Sequence, residues 1–194
     1  IVLGAAILPT ALAAQPITFS VIGDVPYADD ELPVLQEHMV DHNLYSPGDF
    51  LFHVGDIFSG GTPCEESRYQ QVADILEMLT VRAIMLPGDN ETKDCDDPAQ
   101  AWTFWSNHFL RLESHFCSDI QFSHQPGREE NIAFVSKGVL FIGLHMVGGS
   151  NASDLLQADA DWVEQNFVQQ APFVRAAVVL AQAGPGSGRD LFFN

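Results

Sequence analysis

Three short apolar runs in this chain each end in Gly-Asp, at intervals of about thirty residues, the length of one strand–helix–strand unit. They read ITFSVIGDVPY (17–27), DFLFHVGDIFSGG (49–61) and VRAIMLPGDNE (81–91). A strand that ends this way can turn sharply at the glycine and deliver a carboxylate to the rim of a sheet. Three successive strands of one sheet would bring Asp24, Asp56 and Asp89 to the same edge, where ligands bind in parallel sheets. Carboxylate oxygens are hard ligands suited to Mg, Mn, Ca or Fe, with Zn possible where histidines join. Two such cations about 4 Å apart can clamp a phosphoryl group and activate water. An isolated Gly-Asp is ordinarily a turn with a capping aspartate; three in register point to a metal centre.

The rest of the chain alternates strand and helix, as a largely parallel α/β sheet requires. Strands are predicted at 17–22, 50–54, 83–86 and 174–182, the last as a buried strand. A helix opens at Asp29-Asp30-Glu31 with Pro33 and runs to His42. In 65–80, Tyr69, Val72, Ile75, Leu76 and Leu79 recur at helical spacing. Pro98 opens another helix, and 152–170 carries Leu155, Leu156, Trp162, Val163 and Phe167 on one face. The segment 132–146 alternates and turns at Lys137-Gly138, a β-hairpin pattern. The polar stretch 113–130 reads as loop. A length of 194 residues, 46% of them hydrophobic, fits one domain with a real core.

The chain opens on IVLGAAILPTALAAQ, an apolar run of signal-peptide length with Ala11-Leu12-Ala13 as the small-x-small pattern before a cleavage point. Residues 1–14 are therefore read as a signal-peptide remnant, residues 15–194 as the domain, and the protein as exported, periplasmic or secreted. A buried N-terminal strand or helix is the alternative. The run is shorter than the roughly 18 apolar residues of a membrane span. A net charge of -18 argues against nucleic acid as a partner. With only eight Lys and Arg, the chain would repel a phosphate unless cations supply positive field. In an oxidising compartment one pair of the three cysteines should bridge. A Cys64–Cys95 disulfide would tie the second and third Gly-Asp loops together, leaving Cys117 odd.

The series GDVPY, VGDIFSGG and PGDNE, followed by Asp94-Cys95, resembles the calcineurin-like metallophosphoesterase superfamily, and most of all an exported branch of it, over residues 17 to about 182. The resemblance implies an α/β fold built as an αββα double-sheet sandwich. It also implies a metal-dependent hydrolase of phosphate mono- or diesters. Such an enzyme carries a two-metal centre of divalent or Fe/Mn/Zn-type ions and uses metal-bound hydroxide. By matching position Asp24 would be a ligand of the first metal and Asp56 the bridging ligand. Asp89 stands where the family usually has a metal-binding Asn, and Asn90 where it has a catalytic His. Besides Asp89, the sequence departs from the pattern in four places. Pro26 occupies the usual His position of the first motif. Asn90 can hydrogen-bond a phosphate oxygen but cannot protonate a leaving group. The family's next His ligand is matched by Gln182, whose oxygen can coordinate a hard cation weakly. The last motif, Gly-His-x-His, does not occur in this chain, and truncation at the C-terminus would explain that. These losses support a second reading, a degenerate non-catalytic member that binds a metal or ligand; a calcium-stabilised exported domain is a third.

His145, at the end of a hairpin strand, is a candidate proton donor in place of the missing His. His53 lies three residues before Asp56, as a partner of a metal ligand or a satisfied buried histidine. His38 and His42 are four apart on a helix and are expected to face solvent. His108 and His115 flank an aromatic stretch assigned to core packing. Tyr27 follows the first motif closely enough to pack against the centre or touch substrate. The substrate is expected to be a phosphorylated small molecule or ester.

Overall fold

The computed structural model describes residues 16–45, 48–117, 119–149, 151–184, 186 and 189–193. The signal-peptide reading of 1–14 lies outside them. The first half of the chain builds a parallel sheet of β1 (Ser20–Ile22), β2 (Phe50–His53) and β3 (Arg82–Met85), in that spatial order. Its crossovers carry α1 (Leu32–Tyr45), entered through a 3-10 turn at Asp29–Glu31, and α2 (Glu66–Leu76). After β3, α3 (Pro98–Phe109) begins with proline in its first turn, and the Asp97 carboxylate caps it by accepting from the Gln100 N–H at 3.0 Å. The second half forms β4 (Phe122–Gln125), β5 (Arg128–Ser136), β6 (Val139–Gly143), α4 (Ser153–Gln170), β7 (Ala176–Leu180) and a short α5 (Asp190–Phe193).

Side chains of a strand alternate between faces, and that period sorts the core into three layers. Phe50, Phe52, Ile84 and Leu86 point from the first sheet into the second, where they meet Ile132, Phe134, Val139 and Phe141. The ring of Phe50 lies 5.1 Å from that of Phe134 and 4.9 Å from that of Phe141. The alternate residues Leu51, Ala83 and Met85 face outward onto the helices through Leu35, Met39, Tyr69, Leu76 and Trp105. On the far side, Ala133, Leu140 and Ile142 pack against Leu156, Trp162 and Val163 of α4. Helices outside and two sheets within make the expected αββα sandwich.

Three local readings change. Only the first sheet is wholly parallel: β4, β5 and β6 are antiparallel, and β7 joins β6 in parallel. The segment 113–130 is not all loop. It contains a short 3-10 helix (Leu112–His115), β4 and the start of β5, with Gly127 in the left-handed region at φ 79°. Its polar alternation hides the strand because, of the residues of β4, only Phe122 is a hydrophobic packed against the inter-sheet core. The apolar run of β7 is an edge strand rather than a buried one. Val178 and Leu180 touch the core while Val179 is 41% exposed, opening on an apolar cleft of about 650 Å³ beside Val163 and Phe167. The hairpin at Lys137-Gly138 forms as expected, with φ 47° and 74° at its two central residues.

Candidate metal centre

The loops after β1, β2 and β3 interlock through their main chains. Asp24 and Asp56 both hold left-handed backbone, φ 57° and 62°, a conformation that asparagine, aspartate and glycine tolerate best. Asp24 N–H donates to Gly55 O at 3.0 Å. His53 is fully buried and bridges the same two loops: its Nε2 lies 2.6 Å from Val25 O, and its Nδ1 accepts from Gly55 N–H at 3.1 Å. Those partners require Nε2 to carry the proton, and burial pushes its pKa down to about 4, so it is neutral. His53 is thus a satisfied buried histidine that holds loops.

Glu91 does the same for the second and third loops. Completely buried, its carboxylate accepts from Gly88 N–H at 2.6 Å, Asp56 N–H at 3.0 and 3.1 Å, and Ile57 N–H at 3.4 Å. Burial raises its pKa to about 7, against the lowering effect of the Gly88 N–H. The Cys64–Cys95 disulfide ties the same two loops covalently; Cys117 is free and exposed.

Asp56 therefore sits at the centre, 4% exposed. Its Oδ1 accepts from Asn90 N–H at 3.3 Å and its Oδ2 from Gln182 Nε2 at 3.1 Å. Burial lifts its pKa to about 6; the negative charges of Asp89 and Asp24 add to the rise, and the Asn90 N–H and Gln182 oppose it. Asp24 accepts a 2.6 Å bond from the Tyr27 hydroxyl, which holds that phenol well above its usual pKa. Asp89 lies against Gly148, where a Cβ would come 2.7 Å from its Oδ2. No Lys, Arg or His pairs with Asp24, Asp56 or Asp89 among the described residues.

The donor chemistry fits a hard cation, since all the donors are oxygens with uncompensated negative charge. Their present arrangement is looser than a ligand shell: among the described residues no three His, Cys, Asp or Glu side chains are placed to hold a metal ion. Gln182 directs its nitrogen to Asp56, and its Oε1 accepts from Gly148 N–H at 2.7 Å. A half-turn of the amide would exchange the two ends. Asn90 uses its side-chain nitrogen on Phe58 O at 2.8 Å.

His145 stands apart from the acids, in a neighbouring pocket, with Nδ1 3.1 Å from Glu130 Oε1 and its ring stacked on Trp102. Of the remaining histidines, His42 is buried and bonds Ser20 Oγ at 2.9 Å, so α1 turns it inward, whereas His38 is exposed. His115 meets Glu77 at the surface rather than filling the core, whereas the His108 side chain is mostly buried, with Nε2 3.3 Å from Glu66. The brace made by Glu91 was not singled out from sequence. Its only signal is an acid three residues after a strand-ending glycine, which reads as motif before it reads as scaffold.

A sandwich of two sheets with acids at the ends of three parallel strands defines a metallophosphoesterase-type fold. The family model for calcineurin-like phosphoesterases matches residues 17–192, and the chain belongs to that family. The family supports metal-dependent hydrolysis of phosphate esters in general terms. A search of curated proteins found no match to the chain. No described helix is long and apolar enough to cross a membrane.

Proposed function

We propose that this protein hydrolyses phosphate mono- or diesters at a two-metal centre held by Asp24, Asp56, Asp89 and Gln182. The observation that carries the reading is the convergence of acids from three adjacent strands with no cationic partner among the described residues, around an Asp56 that burial, with the charges of Asp89 and Asp24 adding, lifts to about 6. Like charges gathered at a sheet rim are costly unless cations neutralise them. Cations there would supply the positive charge and the acidified water that phosphoryl transfer needs. The protein's own groups do the rest. Asp56, fixed by Asn90 and Gln182, is the central ligand. Asn90 is the amide that contacts a phosphate oxygen. Tyr27 orients Asp24. His145, its Nδ1 on Glu130 and its Nε2 uncommitted among the described bonds, is the proton donor to the leaving group. Together with the disulfide, the apolar N-terminal run supports export.

One set of observations favours a non-catalytic, ligand-binding member instead: Pro26 and Asn90 stand where two histidines are usual, and the acids are not arranged as a shell. Metal content and hydrolysis of 4-nitrophenyl phosphate, compared in the parent and Asp56→Asn, decide between the two. The enzyme reading expects bound metal and turnover that falls at least a hundredfold in the variant, as loss of a central electrostatic group does. Bound metal without Asp56-dependent turnover would establish the second reading.

A further inference from the structure

Most of the cations in this acidic chain are spent on structure. Arg68 pairs with Asp29, Arg111 with Glu129, Arg128 with Glu130 and Asp159, and Lys137 with Asp49. Lys93 and Arg189 make no ion pair among the described residues, and both converge on the segment 147–149. Lys93 Nζ donates to Gly148 O, and Arg189 Nη1 to Val147 O at 3.4 Å and Gly149 O at 3.2 Å. This is the segment whose Gly148 packs on Asp89 and donates to Gln182. Positive charge thus flanks one side of the acid cluster.

Lys93 also stands at the edge of a pocket of about 260 Å³, lined by Thr92, Trp102, His145, Asn151 and Leu155. One of its walls is a stack of parallel rings: Trp102 and His145 lie against each other, 5.3 Å apart at 7°. Trp102 is backed by Trp105, 5.2 Å away at 6°, and Trp105 is buried. His145 is held on three sides, by Glu130 at Nδ1, by Asn131 Oδ1 at its N–H (2.5 Å) and by Arg128 at its carbonyl (3.0 Å). This aromatic wall is therefore held rigidly, and Lys93, on the Gly148 carbonyl, lines the same pocket. The volume lies just under the roughly 300 Å³ at which drug-sized sites begin, enough for one ring system.

We propose that this pocket is the leaving-group subsite and selects small aryl phosphates. The aromatic alcohol would pack against the Trp102–His145 wall, and Lys93 would hold the phosphoryl oxygens. The proposal rests on the phosphoesterase reading, which places the phosphoryl group beside Asp89. Aromatic rings attract one another edge to face as well as offset-stacked, beyond the area they bury, so an aryl over an alkyl group should gain about tenfold in affinity.

The test uses non-hydrolysable probes, phenylphosphonate and methylphosphonate, titrated calorimetrically into the full chain with Mn²⁺. Phenylphosphonate should bind about tenfold more tightly. Leu155→Trp, which fills the pocket from a side chain 44% exposed, and Trp102→Leu should each cut that preference to under about twofold. Lys93→Met should weaken both probes about tenfold. Equal affinity for the two probes overturns the proposal, as does a preference that survives both pocket variants. Binding of neither probe by protein that still hydrolyses 4-nitrophenyl phosphate also overturns it. If no ester is hydrolysed, the phosphoesterase reading fails by itself, while a pocket-dependent preference for phenylphosphonate would still identify the aryl site.

Discussion

Replacing Glu91 with alanine tests whether the site is built on its buried carboxylate. Glu91 takes hydrogen bonds from three main-chain N–H groups, those of Gly88, Asp56 and Ile57, and is fully enclosed. Each buried donor left without a partner costs about 1–3 kcal/mol. Water entering the vacated space recovers part of that, and removing a carboxyl whose burial lifts its pKa to about 7 relieves some desolvation. The net loss for Glu91→Ala is therefore of order 4 kcal/mol, near the lower end of three orphaned donors. In a domain of this length each kcal/mol shifts Tm by about 2–4 °C, so Tm should fall by roughly 8–16 °C. Glu91→Gln keeps the shape but turns an amide NH₂ toward an N–H donor whichever way it lies, and should lose about half as much. Thermal unfolding followed by circular dichroism at pH 7 measures both. A Glu91→Ala protein that melts within about 2 °C of the parent would refute the claim that this carboxylate holds the second and third loops together.

Replacing both Cys64 and Cys95 by serine opens a loop of sequence separation 31; the chain-entropy estimate is a loss of ~3–4 kcal/mol, visible as a lower urea midpoint, and an unchanged midpoint would contradict it. Phe50→Ala removes a fully buried ring packed on Phe134 and Phe141 and should cost about 3–5 kcal/mol in the same assay. His124 should give the protein a pH-dependent stability. Its hydrogen bond with Glu113 raises its pKa above 6.5 despite partial burial, and the Glu129 carbonyl adds to the rise. A histidine with a raised folded pKa contributes its full stabilisation below pH 6.5 and loses it as pH rises through the folded value. Tm of the parent relative to His124→Gln should therefore be higher at pH 6 than at pH 8; a difference independent of pH would remove this pair from the account.

The sequence made the first sheet and the position of its three aspartates readable because each strand is a short apolar run closed by an unmistakable turn. The Lys137-Gly138 hairpin was readable for the same reason. β4 was not, because an outer strand with one side to solvent has little apolar signal: Phe122 is its one apolar residue, and its buried residue, Gln125, is polar. β7 misled in the opposite direction, since an apolar run indicates what a strand could bury rather than what covers it. Within the site, residue types were visible and their partners were not. Nothing in PGDNE distinguishes an acid at the rim from one that binds backbone, yet Asp89 lies beside Gly148 and Glu91 is fully buried among N–H groups. His145 was found as a candidate by its place at a strand end, but its partners Glu130 and Trp102 come from β5 and α3, which no local pattern connects.

The partners of the acids also explain how a chain this negative can bring them together. Asp24 and Asp56 occupy left-handed backbone, which costs a non-glycine residue about 1–2 kcal/mol, and they carry mutually repelling charge. Neither cost is offset by a basic side chain. The compensation is in the main chain: Asp24 N–H bonds Gly55 O, Asp56 N–H bonds Glu91, and Asn90 N–H bonds Asp56. His53 adds a neutral bridge across the first two loops, and the disulfide a covalent one across the second and third. A neutral histidine and backbone amides fix the loops without neutralising the carboxylates, as a basic side chain would. The loops that carry the acids are thereby fixed while the carboxylates keep their charge, which is what the proposed cation would require. A lysine or arginine placed in the cluster would stabilise the apo fold and compete with that cation for the same oxygens.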